Sequence, residues 1–137
     1  KNHESMAPSC RKIWRKYTME NEKIYGMDFY KIYQLLLNKA LRKGRTKEET
    51  DEVIRWLTGY SQTQLDRMCE QQLTYAEFFQ QAPALDEKRD LVRGVVCGVR
   101  VENIEDPLMR SIRCLDKLVD ELARGKSMDK ILNRGRL

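Results

Sequence analysis

The stretch TKEETDEVIRWLTGYSQTQLDRMCEQQ, residues 46–72, reads as helix, tight corner, helix. Thr46 with Glu49 three residues later forms a capping box, in which side chain and backbone satisfy each other's free first-turn groups. Ser61 with Gln64 repeats the device at the start of the second helix. Between them Gly59 supplies the left-handed residue that stops the first helix. Val53, Ile54 and Leu57 face inward from the first helix, and Leu65, Met68 and Cys69 from the second. Asp51 and Arg55 are spaced as an i,i+4 ion pair on the wet side. The outline fits a DNA-reading helix-turn-helix and equally a structural αα-corner.

Working outward, the spacing predicts helices on both sides. Upstream, Phe29, Ile32, Tyr33, Leu36, Leu37, Ala40 and Leu41 define one broad helical face over 29–43, with Asp28 at the N-cap and Gly44 after the end. Downstream, Thr74 and Glu77 make a third capping box, opening a short helix with Phe78 and Phe79 that Pro83 ends. Asp86 to Cys97 is expected as helix, followed by an extended bend through 98–101. The alternation of Val95, Cys97, Val99 and Val101 keeps a strand reading open there. Asp106–Pro107 then opens a long helix through Ala123, with Leu108, Ile112, Leu115, Val119 and Leu122 in heptad-like order. Gly125 stops it, and Ser127 caps a last short helix with Met128, Ile131 and Leu132. The expected fold is all-α: a compact bundle of about six short helices, a helix-turn-helix-like corner within it, and a short extended segment near 98–101.

Composition narrows the chemistry. The 137 residues are 41% hydrophobic and 34% charged, enough for one domain that needs no staples. The longest apolar run, Leu35–Leu36–Leu37, is far too short to span a bilayer, so no membrane partner is expected. No charged segment followed by an apolar one reads as a signal peptide. Cys10, Cys69, Cys97 and Cys114 are scattered and form no CxxC pair, which points to a reducing, cytoplasmic setting. The only histidine is His3, outside the patterned part of the chain, so zinc sites of the Cys/His kind, Ser-His-Asp triads and Cys-His dyads are disfavoured. No cofactor or metal is expected.

The net charge of +5 is unevenly distributed. Residues 1–18 carry Lys1, Arg11, Lys12, Arg15 and Lys16 against Glu4, a net +4, which leaves +1 for residues 19–137. Residues 1–25 read as a flexible basic arm and 26–137 as a single helical domain. The arm reads as a tag or extension, with Met19 a candidate initiator, or as a contact for an anionic partner. DNA reading through the corner meets an obstacle: Asp66 and Glu70 outweigh Arg67 on the second helix, and Glu48, Glu49, Asp51 and Glu52 crowd the first. Two basic corners, Arg42–Lys47 and Lys126, Lys130, Arg134 and Arg136, could hold an anion if the fold joins them. Asp120 is positioned to pair with Arg124 on the surface.

The blocks DEVIRWLTGY (51–60), GVVCGVRVENIEDPLM (94–109) and LDKLVDELARGKSMDKIL (115–132) resemble an uncharacterised prokaryotic family of small proteins, a domain of unknown function numbered twenty-two hundred. The resemblance covers roughly residues 19–133. It implies a small bacterial protein and brings no activity, substrate or cofactor with it.

The best candidate site from residues alone is Gly94–Arg113, where Arg100, Glu102, Glu105, Asp106, Arg110 and Arg113 gather around a helix start. Arg100 and Arg113 are candidates to hold a carboxylate or phosphate, with Glu102 as an acid or base. A salt-bridge and capping network explains the same residues structurally. Cys97 among valines reads as an inert buried thiol. The leading function is a non-enzymatic interaction module that docks a protein partner or a second copy through the last long helix. The alternatives are a nucleic-acid-binding regulator and a small enzyme or anionic-ligand binder at Gly94–Arg113.

Overall fold

The computed structural model describes residues 21–96 and 98–134. The readings made for residues 1–18, Met19, Cys97 and Arg136 lie outside the described residues. In chain order the helices are α1 (Asn21–Tyr25), α2 (Phe29–Arg42), α3 (Lys47–Thr58), α4 (Gln62–Glu70), α5 (Tyr75–Gln80) and α6 (Leu85–Arg89). A two-stranded antiparallel hairpin follows, β1 (Val95–Val96) with β2 (Val99–Arg100), then a 3-10 turn at Val101–Asn103. The chain closes with α7 (Pro107–Ala123) and α8 (Met128–Leu132). The fold is helical, as expected, with eight described helices and a small two-stranded hairpin near 95–100.

All three capping boxes form, each with both reciprocal hydrogen bonds: Thr46 with Glu49, Ser61 with Gln64 and Thr74 with Glu77. Asp106 caps α7 ahead of Pro107, and Ser127 caps α8. Asp28 does not cap with its side chain. The segment before α2 is instead tied by backbone pairing: Phe29 N–H donates to the Leu73 carbonyl and Tyr75 N–H to that of Met27, both at 2.8 Å. Residues 21–25, assigned above to the arm, are helical, because Ile24 is buried in the core and α1 packs on α5.

At the core lies α7, against which α2, α3, α6 and the hairpin pack. Its Ile112, Leu115, Leu118, Val119 and Leu122 are fully buried. The heptad-like face proposed for docking is therefore the centre of the protein, and cannot also be a docking surface. Around it an aromatic group fills the space between α2 and α5, with the Phe29 and Phe78 rings stacked at 3.9 Å. Tyr60 donates its O–H to the Phe78 carbonyl at 2.6 Å, fixing the start of the corner on α5. Gly59 has φ +85°, and a Cβ there would lie 2.8 Å from the Cβ of Ala84, so the corner is closed by backbone as well as by its turn.

The expected helix over 86–97 is corrected. It ends at Arg89, and the chain turns through Val92, fully buried, into the hairpin. Gly94 (φ +114°) and Gly98 (φ +78°) take up backbone that a helix excludes, and Val101 N–H closes the hairpin's base on the Gly94 carbonyl. The alternating valines were the truer signal. The extended part begins at Val95, before the bend expected at 98–101, and Val101 already belongs to the 3-10 turn.

Candidate functional site

Of the six residues singled out near the hairpin, Arg100, Glu102, Asp106 and Arg110 are engaged within the fold, Asp106 as the cap of α7. Glu102 accepts the Gly94 N–H at 2.9 Å and pairs with Arg100 at 3.3 Å. The Gly94 bond, more than any other influence, holds its carboxyl below the usual carboxylate range, the opposite of what a general acid near neutral pH requires. Arg110 on α7 reaches Asp90 at 3.5 Å, and Arg113, three residues on, is buried. Glu105 is exposed. None of the six lines the depression described below.

The two basic corners do meet. One Arg45 η-nitrogen donates to the carbonyls of Leu122 (3.2 Å) and Lys126 (2.9 Å) at the end of α7, while the rest of the guanidinium grips Glu49. Glu121, 7% exposed, takes Arg134 on both carboxylate oxygens, at 2.7 and 2.8 Å, and Lys126 at 3.6 Å. Arg45, Lys126 and Arg134 are thus engaged by carboxylates and helix-end carbonyls, and the junction works as a clasp between the start of α3 and the end of α7. Asp120 pairs with Arg124 as expected, and also with Lys39 of α2.

Asp51 overturns its reading. It is 2% exposed and makes no pair with Arg55. Three groups donate to its carboxylate: the Tyr33 hydroxyl at 2.6 Å, the Lys47 ammonium at 2.7 Å and the Gln62 amide at 3.0 Å. One side chain thus ties α2, α3 and α4 together, and the three donors offset the cost of burying its charge. Burial, and then the bond to Asp51, push the Tyr33 hydroxyl far above its ordinary range. The bond to Asp51 raises Lys47, so its ammonium stays charged. An i,i+4 pattern could not reveal this, because the deciding partner, Tyr33, lies 18 residues upstream.

Tyr33 and Lys47 also form part of the wall of an open depression of about 460 Å³ between α2 and α4. From α2 come Tyr30 and Leu37 besides Tyr33, and from α4 come Asp66, Cys69 and Glu70. Tyr30 is 41% exposed, its ring stacked with that of Tyr33 at 6.3 Å and 17°. Leu41, one helical turn beyond Leu37, was expected inside and is 47% exposed. The Cys69 thiol is pushed up to about 11, chiefly by burial, and is a neutral wall rather than a nucleophile. Two glutamines of α4 that a DNA-reading helix would extend are already engaged: Gln62 with Asp51 and Asp66, Gln64 in its capping box. Among the described residues no group of three or more His, Cys, Asp or Glu side chains is placed to hold a metal. No described helix is long and apolar enough to cross a membrane.

The model of a family described as uncharacterized proteins conserved in bacteria, DUF2200, matches residues 23–133. The chain is also similar to a solved structure, the crystal structure of uncharacterized protein SP1917. The identity is 44% and the TM-score 0.77, over 81% of this chain and 91% of that one. No curated protein matches it.

Proposed function

The chain belongs to that family of uncharacterized bacterial proteins, and from this premise we propose that it is a non-enzymatic, cytoplasmic interaction module whose docking surface is the α2/α4 groove. The observation that carries the reading is the exposed ring of Tyr30, held in stacking contact by a Tyr33 that is itself fixed on buried Asp51. An aromatic anchor pre-set at the edge of a concavity loses little freedom when a partner covers it, which is how a few residues come to dominate an interface. Leu37 and the exposed Leu41 extend the apolar strip along α2. A catalytic reading has less support here, since the thiol is neutral and the buried Asp51 beneath the groove already accepts from three donors.

A photo-crosslinking residue placed at Tyr30 tests the proposal in living bacteria, with the same probe at Val95 on the hairpin as the comparison. Protein adducts from position 30 that vanish on Leu37→Glu are the expected result. Adducts from position 95 alone, or nuclease-sensitive adducts from position 30, would overturn it, the latter in favour of nucleic-acid binding.

A further inference from the structure

Resting on that reading of the groove, we infer that its occupant is an arginine-bearing segment of a protein partner, with the guanidinium seated between the Tyr30 ring and the carboxylates of Asp66 and Glu70. The lining holds three charged side chains, and they are not equivalent. The single cation, Lys47, is already closed on Asp51 at 2.7 Å. An anionic ligand would have to draw it away from Asp51 and would meet the carboxylates of Asp66 and Glu70 in the same lining. The two carboxylates are in the opposite condition. Asp66 accepts one hydrogen bond, from Gln62 on Oδ1, while Glu70 accepts none among the described residues, and both are exposed.

The helix adds to the same sign. Glu70 is the last residue of the nine-residue α4, so the negative end of the helix dipole lies at this side of the groove. Tyr30 completes the recognition of a cation, since a planar guanidinium stacks on a phenol ring while its edge remains free to donate to carboxylates. An ammonium satisfies the charge but neither the stacking nor a forked hydrogen bond, so arginine is favoured over lysine. The walls formed by Leu37 and the neutral Cys69 suit the aliphatic stem of the same side chain and an apolar neighbour.

The test uses the full chain, isotope-labelled, titrated with the capped peptide Ac-Leu-Arg-Gly amide and with its citrulline counterpart, which keeps the shape and removes the charge. The arginine peptide is expected to shift the backbone amides of Tyr30, Lys47 and Glu70, with the citrulline peptide weaker by about tenfold. Asp66→Asn with Glu70→Gln should reduce arginine binding by about the same factor, whereas Glu105→Gln, outside the groove, should leave it unchanged. Equal binding of the two peptides, or shifts confined to other surfaces, would overturn the inference. Position-30 crosslinking with a flat charge series retires the arginine assignment and keeps the groove. Arginine-dependent shifts at the groove without any partner adduct at position 30 count against the interaction module itself.

Discussion

Asp51 and Glu121 are both carboxylates almost closed off from water, and they serve opposite ends. Glu121 receives Arg134 on two oxygens and Lys126 nearby, so acid and bases meet within one short stretch at the end of the chain. Asp51 takes donors from three helices, and two of those donors, Tyr33 and Lys47, line a groove. A buried carboxylate can therefore seal a surface or prepare one. What decides is whether its partners turn their remaining surface to other protein or to solvent.

That contrast can be broken most forcefully at the sealed end. Glu121→Ala strands the Arg134 guanidinium, and urea unfolding should show a loss of about 3 kcal/mol, the scale for removing one partner of a buried pair. A loss within about 0.5 kcal/mol would mean that the clasp is ornamental. Asp51→Asn keeps an acceptor for Tyr33 and removes the charge facing Lys47, so a smaller loss, about 1–2 kcal/mol, is expected in the same measurement. If it exceeds that of Glu121→Ala, the two sites rank in the reverse order. Lys47→Met should cost least of the three, about 1 kcal/mol or less, since the ammonium is about half exposed and Tyr33 and Gln62 still satisfy Asp51.

The smallest effect is a pH dependence next to the clasp. The Arg45 side chain, followed by the Thr46 backbone, lowers the Glu49 carboxyl below its ordinary 4.5. A carboxyl depressed in the folded state contributes stability that is present in full above the unfolded value and is lost as pH falls through the folded one. Glu49→Gln should therefore unfold at lower urea than the parent at pH 7, with the gap narrowing below about pH 4.5. A gap unchanged down to pH 3 would exclude an electrostatic contribution at this position.

What was legible in the sequence divides along the same line as these two carboxylates. The capping boxes at Thr46, Ser61 and Thr74 were readable because each closes over three residues, and so was the inward face of Ile112 to Leu122, which recurs at helical spacing. The burial of Asp51 was not, because it depends on a tyrosine from another helix, and the local i,i+4 partner Arg55 offered a plausible alternative. The hairpin was half legible. Its valines alternate, but the helix reading failed on Gly94 and Gly98, whose positive φ becomes evident only in the folded backbone. The candidate cluster at Arg100 and Glu102 illustrates the same limit, since the group that engages Glu102 most strongly is a backbone N–H, which no side-chain motif records.

The grip of Arg45 on the Leu122 and Lys126 carbonyls has a kinetic consequence. It joins positions 77 and 81 residues apart, among the most non-local bonds in the molecule. Closing so long a loop is entropically costly, and such contacts commonly form after the folding nucleus, which here would draw on the local helix pairs α3–α4 and α7–α8. Interactions absent from the transition state set the unfolding rate and leave the folding rate nearly untouched. The clasp therefore acts as a brake on opening: with it released, the protein would fold about as fast as before and spend less time folded on each visit.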